Sequence, residues 1–397
     1  MRIAFVGPFG MSVKRTMAVR AMPLARELAA RGHQVRVILP PWDCPQDAGQ
    51  RWAEEDVEVH NIRLPPRIPL LGHVWIVARI LRELLAFRPQ AIHCFKPKSY
   101  SGLVAWCVWH WNLLGRRKVR LVGDADDWEG TGGWNELERY TAIQERFFAW
   151  QEHWGLTHAD ALTVASRALE TIVWSLGVAR ERVHYLPNGC SGEVLEPDPM
   201  EIEALRQEHH LSDHPIVLLY TRFFEFGLPR VLDVIEGVGK AIPETRWLVI
   251  GKGLFGEDAR FLDMANERRL ASAIHYVGWI PVSKLAAYFG LASVALYPFD
   301  DTLVNRCKCA VKLIDLLAAG VPVVADAVGQ NVEYIEDGVS GLLVRAGDTQ
   351  GFVRAVVRLL RDEELQSRMR VAARLQLCQR FRWSDLVARA ETAYGEE

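Results

Sequence analysis

An acidic segment at residues 121–136, LVGDADDWEGTGGWNE, carries side chains suited to proton transfer or to binding hydroxyl groups. Asp124, Asp126, Asp127 and Glu129 follow an apolar run that predicts a buried strand. Carboxylates this close together bind acceptor hydroxyls, act as a general acid or base, or hold a cation. A purely structural alternative is that Asp127 caps the start of a helix.

A glycine-rich turn at residues 251–256, GKGLFG, lies between an apolar run and a helical pattern. Gly251, Gly253 and Gly256 match the G-x-G-x-x-G fingerprint of dinucleotide-binding sites. Such a site also needs an acidic residue about twenty residues further along, at the end of the next strand. Because Tyr276 stands there instead, we interpret the glycines as a tight strand-to-helix turn that can still line a nucleotide site.

Basic residues surround the start of a predicted helix at residues 309–319. Arg306, Lys308 and Lys312 lie just before or within its first turn. Backbone N–H groups and the helix dipole attract anions at this end of a helix, so the pattern favours a diphosphate ligand. The alternative is a solvated basic face.

The composition argues against several function classes. The chain has 397 residues and a formal net charge of −2, so no excess of positive charge indicates nucleic-acid binding. Its 7 cysteines are scattered, which is typical of a reducing cytosol, and Cys307-Lys308-Cys309 lacks the second ligand pair of a zinc site. We see no signal peptide and no apolar run long enough to span a membrane, so we expect a cytoplasmic protein.

The elements that must position these residues alternate between strands and helices. Apolar strands joined by helices form parallel sheets, whose ligands lie at the carboxyl ends of the strands. The pattern predicts an α/β protein with two Rossmann-like domains, at residues 1–195 and 196–379, whose sheets face a central cleft. A final helix, at residues 380–397, is expected to pack back onto the first domain. The predicted strands are residues 2–6, 33–40, 91–94, 119–123, 161–164, 183–186, 216–221, 247–250, 274–277, 294–296 and 321–325.

The second half resembles the nucleotide-sugar-binding half of retaining glycosyltransferases of family 4, which have the GT-B fold. The most specific part is residues 312–345, KLIDLLAAGVPVVADAVGQNVEYIEDGVSGLLVR. Residues 159–189, ADALTVASRALETIVWSLGVARERVHYLPNG, are similar to the segment that closes the family's first domain. The resemblance implies transfer of a sugar from a UDP- or GDP-sugar to a glycan, a lipid-linked or a small-molecule acceptor. It also implies retention of configuration, with no metal and no other cofactor.

The resemblance assigns the donor site to the second domain. Asp315 matches a family Glu that binds the ribose, and its carboxylate can accept two hydroxyl hydrogen bonds. Cys307 replaces a second family Glu that contacts the sugar. Arg222 matches a phosphate-binding Arg, whereas Phe226 stands at the usual Lys position, for which Arg230 is a candidate substitute. The other expected donor contacts are the phosphate ligands Gly253, Lys308 and Lys312 and the sugar ligands Gly329, Gln330 and Asn331.

The same resemblance assigns the acceptor to the first domain. Asp126 occupies a position where relatives often carry a His near the reacting sugar, and Asp126 and Asp127 are the candidate catalytic residues. Asp-x-Asp holds a metal in the other large glycosyltransferase fold, GT-A, but two Rossmann-like halves argue against that fold. In the mechanism that the family implies, the donor phosphate accepts the proton of the acceptor. The first loop and a neighbouring strand end are expected to supply Gly7, Phe9, Gly10, His93 and Lys96.

Two apolar segments favour peripheral contact with a membrane. Residues 68–87, IPLLGHVWIVARILRELLAF, carry a sparse charged stripe, and residues 106–118, WCVWHWNLLGRRK, place Trp beside a basic cluster. Trp, Leu and Arg together are typical of the headgroup boundary of a bilayer. Two amphipathic helices packed on a sheet explain the pattern equally well.

Two other functions stay open because Cys307 and Phe226 depart from the family pattern. One is a non-catalytic nucleotide-sugar-binding protein, which would bind a donor without turnover. The other is a GT-B epimerase. A phosphorylase-like enzyme would need a Lys for pyridoxal phosphate, for which the sequence has no motif. The sequence specifies neither the acceptor nor an oligomeric state.

Overall fold

A computed structural model describes residues 1–12, 15–66, 71–115, 118–190, 197–211 and 214–395. The chain divides into two units. The first comprises Met1–Ser191, Cys307–Cys309 and Trp383–Glu397, and the second comprises Gly192–Arg306 and Ala310–Arg382. The boundary predicted between residues 195 and 196 lies outside the described residues.

The first unit is built around a sheet whose strands are β1 (Arg2–Val6), β2 (Gln34–Leu39), β3 (Arg51–Glu54), β4 (Val57–Asn61), β5 (Ala91–Phe95), β6 (Arg120–Ala125), β7 (Ala161–Val164) and β8 (Val183–Tyr185). Their order is β3-β4-β2-β1-β5-β6-β7-β8, and all neighbours are parallel except β3 and β4. The strand that follows β1 in sequence, β2, lies on one side of β1, and the later strand β5 lies on its other side. The switch point, where open α/β sheets bind ligands, therefore lies between β1 and β5.

The second unit contains a parallel sheet of β9 (Ile216–Tyr220), β10 (Arg246–Ile250), β11 (Ile274–Gly278), β12 (Val294–Tyr297), β13 (Val323–Asp326) and β14 (Leu342–Val344). Its order is β11-β10-β9-β12-β13-β14, which puts the switch point between β9 and β12. The predicted α/β class with two parallel sheets is confirmed.

Helices supply the crossovers that parallel strands require. A π-helical turn, Met17–Ala21, leads directly into the first of them. In chain order they are α1 (Met22–Ala30), α2 (Leu71–Phe87), α3 (Ser99–Leu113), α4 (Trp134–Leu137), α5 (Ala142–His158), α6 (Arg167–Ser175), α7 (Pro199–Glu208), α8 (Leu228–Ala241), α9 (Glu257–Glu267), α10 (Val282–Gly290), α11 (Leu303–Cys307), α12 (Val311–Ala318), α13 (Asn331–Tyr334), α14 (Thr349–Arg361), α15 (Glu363–Arg380) and α16 (Trp383–Tyr394).

The first sheet has an apolar core on each face: its central strand β5 is buried throughout, and β1 is buried after Arg2. Ile3 and Phe5 of β1 pack against α1 and α16 on one face. Ala4 and Val6 belong to the core on the other face, which α2, α3, α5 and α6 cover. The last helix of the chain is thus part of the core of the first unit. No helix in the described ranges has the length and apolar character needed to cross a bilayer.

Candidate functional sites

In the first unit, the loop that follows β1 crosses the switch point. The Gly7 N–H donates to the Ile38 carbonyl at 3.2 Å, and the Gly10 N–H donates to Asp43 Oδ1 at 2.8 Å. Both glycines are buried and bonded within the first unit, so their expected contact with a ligand stays a prediction. Phe9 is only 5% exposed and its side chain packs in the core, so the expected role of this loop residue at the acceptor stays a prediction.

Lys96 joins the acidic segment at the end of β5. Its Nζ lies 2.9 Å from Asp126 Oδ1, 3.0 Å from Asp127 Oδ2 and 3.4 Å from Glu129 Oε1. Burial would lower the pKa of this amine, but attraction to the three carboxylates outweighs burial and raises it well above its usual range. The Lys96 ammonium group thus occupies the position between the three carboxylates where a metal cation would bind. Among the described residues, no group of His, Cys, Asp and Glu is arranged to hold a metal ion.

Asp126 is the carboxylate of this group that titrates near neutral pH. Burial raises its pKa to about 6, with repulsion from Asp127 and Asp124 adding to the rise and attraction to Lys96 opposing it. Thr16 Oγ1 donates to its second oxygen at 3.1 Å. A carboxyl group with this pKa is suited to exchange a proton with a bound hydroxyl.

Asp127 does not cap a helix, so that structural alternative is wrong. Its Oδ2 is paired with Lys96, and its Oδ1 accepts the backbone N–H of Cys309 at 3.4 Å. The next helix, α4, begins after Gly133. Asp127 therefore holds both the ammonium group and a backbone segment of the same unit.

Asp124 has a structural role, with a partner that sequence reasoning missed. Arg20 donates to both of its oxygens, at 2.6 Å from Nη2 and 2.8 Å from Nε, and both side chains are buried. Arg20 Nη1 also donates to Asn188 Oδ1 at 2.9 Å. The spacing of Arg20 from Leu24 and Leu28, one and two helical turns away on the buried face, is the signal that could have revealed its burial.

His93 is fully buried, so our expectation that it contacts the acceptor is wrong. Its ring nitrogens lie 2.8 Å from Tyr394 Oη and 2.9 Å from Thr163 Oγ1. Burial lowers its pKa to about 4, against the pull of Asp124. His93 is therefore a neutral core residue that ties β5 to α16.

Two side chains of helix α5 hold the loops that follow β5 and β6. Gln151 forms two hydrogen bonds with the backbone of Ser99, of 2.8 and 3.0 Å. Glu152 Oε1 accepts the N–H of Glu129 at 2.9 Å, and Lys98 Nζ pairs with Glu129 Oε2 at 2.6 Å. Burial and repulsion from Glu129 raise the pKa of Glu152 to about 8, so this carboxyl is mostly neutral at pH 7. Sequence reasoning missed Lys98 and Glu152, whose burial no local pattern indicates.

In the second unit, the end of β9 and the start of α12 bring the predicted donor ligands to one edge of the sheet. Tyr220 is the last residue of β9, and Lys312 Nζ lies 4.1 Å from the centre of its ring. Arg222 follows two residues later, with its guanidinium 5.5 Å from the Phe224 ring. Asp315 lies one turn after Lys312 and is partly exposed. Two cations and one carboxylate therefore flank the switch point.

Arg230 does not replace the missing Lys. Its guanidinium forms a two-pronged ion pair with Asp326, at 2.9 and 2.7 Å. Asp326 also accepts the Phe299 N–H at 2.7 Å. The pair joins α8 to the ends of β12 and β13, so Arg230 has a structural partner.

The glycine-rich turn is a tight strand-to-helix connection. Gly251 has φ +130°, and a Cβ there would lie 1.8 Å from the Thr221 carbonyl oxygen. Gly256 precedes α9 with φ +88°. Glu257 Oε2 accepts the Phe255 N–H at 2.7 Å, so a carboxylate already takes an anion-binding amide of this turn. The structure thus gives Gly253, which is in the same turn, no contact that favours a phosphate.

The loop after β13 is held from within. Gln330 and Asn331 are fully buried. Gln330 Oε1 accepts the Ala310 N–H at 2.9 Å, and Asn331 Nδ2 donates to the Asp326 carbonyl at 2.9 Å. Both side chains therefore have partners within the second unit, and the expectation that Gln330 and Asn331 lie by the donor sugar stays a prediction. At Gly329 a Cβ would lie 2.5 Å from the Asn305 carbonyl oxygen, so no larger residue fits there. A contact between Gly329 and the sugar would be made by its backbone.

The segment Cys307–Cys309 belongs to the first unit. Cys307 is fully buried as part of the core of the first unit, and its carbonyl accepts the Ser166 hydroxyl, just before α6, at 3.2 Å. The expected contact between Cys307 and the donor sugar is therefore wrong. Lys308 is 9% exposed, so most of its side chain is covered.

Family models match both halves of the chain. Residues 15–189 match the glycosyl transferase 4-like domain, and residues 214–362 match the glycosyl transferases group 1. The chain belongs to the group 1 glycosyltransferases of family 4.

Individual relatives of this glycosyltransferase are distant. It is 26% identical, over 58% of its length and 61% of the relative's, to a GDP-mannose-dependent alpha-(1-6)-phosphatidylinositol monomannoside mannosyltransferase of Mycolicibacterium smegmatis. It is 23% identical to a phosphatidyl-myo-inositol mannosyltransferase of Mycobacterium leprae, over 99% and 96% of the two chains. The chain thus spans about three fifths of the first of these and nearly all of the second.

Solved structures establish the fold. Sucrose-phosphate synthase from Thermosynechococcus elongatus superposes with a TM-score of 0.75 at 20% identity, over 100% of this chain and 98% of that one. The catalytic domain of starch synthase IV from Arabidopsis thaliana gives 0.76 at 14% identity, over 100% and 99%. The glycosyltransferase therefore has the GT-B fold.

Proposed function

We propose that this glycosyltransferase transfers a sugar from a nucleotide-sugar to a hydroxyl group of an acceptor, with retention of configuration and without a metal. The grouping of Arg222, Lys312 and Asp315 beside the second switch point carries the proposal. Two cations suit the diphosphate, where negative charge develops as the sugar departs. The carboxylate of Asp315 suits the ribose hydroxyls.

In this proposal the first unit binds the acceptor. The bond between the sugar and the phosphate oxygen breaks as the bond to the acceptor oxygen forms on the same face. The acceptor proton goes to the departing phosphate, so no protein nucleophile is needed. Asp126 and Lys96 orient the acceptor hydroxyl, and the pKa of Asp126, about 6, supports a hydrogen bond that changes with pH.

The donor we propose is a GDP- or UDP-sugar, and GDP-mannose is tested first because a relative is named for it. The experiment is thermal unfolding with GDP-mannose and with UDP-, ADP- and dTDP-sugars, and with NAD(H). A ligand at a hundred times its Kd stabilises a protein by about 2.7 kcal/mol. Asp315→Ala should reduce the shift, whereas Asp263→Ala, at an exposed position on α9, should not.

Each outcome of this panel has a meaning. A shift with one sugar nucleotide, followed by product formation, supports the proposal. Binding without any turnover favours a non-catalytic nucleotide-sugar-binding protein, and interconversion of donor epimers favours an epimerase. A shift with NAD(H) alone would mean that the glycine-rich turn is a dinucleotide site after all.

We also propose that the first unit contacts the cytoplasmic face of a membrane. Helices α2, α3 and α5 cover the same face of the sheet, and each carries exposed apolar side chains on its outer side. Arg82, Arg88, Lys118 and Arg146 are exposed on or beside these helices, which suits anionic lipids. The exposed apolar residues are Leu71, Val74, Trp75, Leu85, Trp106, Leu113, Leu114, Ile143, Phe147 and Trp150.

Sedimentation with lipid vesicles tests this contact. Val74 and Leu114 are 65% and 75% exposed, and changing both to Ser should reduce binding to vesicles that contain phosphatidylglycerol. Val371→Ser is the matched control, because Val371 is 65% exposed on α15 of the second unit. Equal sedimentation of wild type and both variants would contradict the proposal. Residues 68–70 and 116–117 of the predicted segments lie outside the described residues.

A further inference from the structure

Lys98 holds the outer end of the acidic segment. Its Nζ lies 2.6 Å from Glu129 Oε2 and donates to Asn135 Oδ1 at 2.9 Å. The centres of the Tyr140 and Phe148 rings lie 4.7 and 5.0 Å from the same ammonium group, so aromatic rings contact it as well. Lys98 is a buried residue. A covered cation with several partners therefore fixes the position of the Glu129 carboxylate.

Glu129 is held through its backbone as well as its side chain. Its N–H donates to Glu152 Oε1 at 2.9 Å, and its carbonyl accepts the Asn135 N–H at 3.1 Å. Its second carboxylate oxygen, Oε1, accepts a hydrogen bond of 3.4 Å from Lys96 Nζ. Glu129 thus presents one oxygen to Lys98 and the other to Lys96, and it links the two ammonium groups.

The three carboxylates around Lys96 do not contact it in the same way. Its Nζ donates to Asp127 Oδ2 at 3.0 Å and to Glu129 Oε1 at 3.4 Å. The same Nζ lies 2.9 Å from Asp126 Oδ1, but this contact is not aligned as a hydrogen bond. Within the described part of the chain, Asp126 Oδ1 is buried without a hydrogen-bond partner. Asp126 therefore feels the charge of the ammonium group and receives none of its N–H groups.

This arrangement favours a carboxyl group that gains and loses a proton. A carboxylate that accepts fewer hydrogen bonds is easier to protonate. Thr16 Oγ1 lies 3.1 Å from Asp126 Oδ2 and donates to it when Asp126 is charged. Because a hydroxyl group also accepts hydrogen bonds, the same Thr16 can accept from a proton on Oδ2. Both charge states of Asp126 therefore have a hydrogen-bonded partner.

The other titratable groups around Asp126 leave Lys96 as its adjustable partner. They are Arg15, Arg20, Asp124, Asp127, Glu129 and Cys309. Arg20 and Asp124 form a buried ion pair with each other at 2.6 Å. Burial raises the pKa of the Cys309 thiol well above its usual range, so the thiol carries no charge. Arg15 is exposed beside Thr16. Lys96 is therefore the cation whose orientation most affects Asp126.

We propose that Glu129 and Lys98 are positioning residues, which direct the Lys96 N–H groups toward Asp127 and Glu129 and so keep Asp126 able to exchange a proton. The inference rests on the proposed function, in which Asp126 orients the acceptor hydroxyl. It adds two residues that touch neither substrate and act on Asp126 through Lys96.

NMR titration of the Asp126 carboxyl group tests this proposal without a substrate. Asp labelled with carbon-13 at the side-chain carboxyl gives the signal, which Asp126→Asn assigns by its loss. In Glu129→Gln, Lys96 loses one of its two hydrogen-bonded carboxylates and should turn toward Asp126. The Asp126 titration should then move to lower pH by about one unit, a tenfold change in proton affinity. The inflection in the rate profile should move with it, while donor affinity stays within twofold.

A double variant guards against misfolding. Glu129→Gln alone leaves the Lys98 charge without its carboxylate, whereas Lys98→Met with Glu129→Gln removes both members of the buried pair. The double variant should show the same shift to lower pH, because Lys96 is released in the same way. Glu136→Gln is the matched control: Glu136 is exposed on α4 in the same segment, and its loss should leave the Asp126 titration unchanged.

Two results would overturn the proposal. They are an Asp126 titration that stays at the wild-type pH in both variants, and one that moves to higher pH. A merely structural role of Glu129 would give the first result together with a loss of stability in urea. Failure of the proposed function is distinct from both, because it would appear as the absence of any sugar nucleotide that shifts the unfolding temperature.

Discussion

At the scale of single residues, buried charges in the first unit fall into two groups. Asp124 and Glu129 have cationic partners, and the pKa of each is lowered by Arg20 or by Lys96 and Lys98 despite burial. Asp126 and Glu152 are buried with less compensation, and their pKa values rise to about 6 and about 8. Asp124 and Glu129 therefore hold the site in place as charged groups, whereas Asp126 and Glu152 change charge within the physiological pH range.

Glu152→Gln should make the protein more stable at high pH. The folded-state pKa of Glu152 is about 8 against an ordinary 4.5, so its contribution to stability is present below pH 4.5 and is lost as pH rises through 8. The Gln variant does not titrate there, so its advantage should grow by about 2 to 4 kcal/mol across that range. Urea unfolding of both proteins at several pH values measures it. Glu145→Gln, at an exposed position on the same helix, should give no such trend.

Asp126→Asn should lower the transfer rate about a hundredfold while donor affinity stays within twofold, because we propose that Asp126 touches only the acceptor. An inflection near pH 6 in the wild-type rate profile should disappear in the variant. Steady-state rates and thermal shifts with the donor measure the two effects. Wild-type turnover in Asp126→Asn would reduce the acidic segment to a structural role.

Single residues were predictable from the sequence where chemistry and strand position coincided. Asp126, Asp127 and Lys96 were each selected because they follow the end of a predicted strand, and the structure adds that Lys96 pairs with both carboxylates. Arg20 and Glu152 were missed because a charged residue within a helical pattern predicts an exposed side chain. Cys307 was misassigned because the contacts that bury it come from residues far away in the sequence.

At the scale of elements, the turn between β10 and α9 offers a sharp contrast. Gly251→Ala should cost about 3 kcal/mol or more, because its Cβ would overlap the Thr221 carbonyl oxygen at 1.8 Å. Gly256→Ala should cost only about 1 kcal/mol, since nothing lies within 4 Å and only its φ of +88° is unfavourable. Chemical unfolding of both variants gives the comparison. Similar losses would mean that the turn relaxes without strain.

Strands buried on both faces were readable from the sequence, because they are short apolar runs between helical patterns. The edge strand β3 and its neighbour β4 were missed. Their segment, RWAEEDVEVHN, is mostly polar, and Glu55 and Asp56 make its turn with positive φ, although neither is Gly or Asn. Only the alternation of Val57 and Val59 could have indicated a strand there.

At the scale of the whole molecule, removal of α16 should unfold the first unit selectively. Trp383, Leu386 and Tyr394 are buried in its core, and Tyr394 holds His93. A chain ending at Arg382 should lose protease resistance in the first unit while its second unit still binds the donor. Limited proteolysis with and without GDP-mannose or the donor found above measures both. Wild-type resistance of the truncated chain would show that α16 is dispensable.

The first unit is assembled from three separate stretches of chain, the last of which is Trp383–Glu397. On the ribosome, residues of the second unit are all synthesised before this stretch emerges. The half that begins the chain is therefore the half that finishes folding last. Until residues 383–397 have left the ribosome, the sheet of the first unit exposes the apolar surface that α16 will cover, so synthesis of its earlier residues alone does not complete its core.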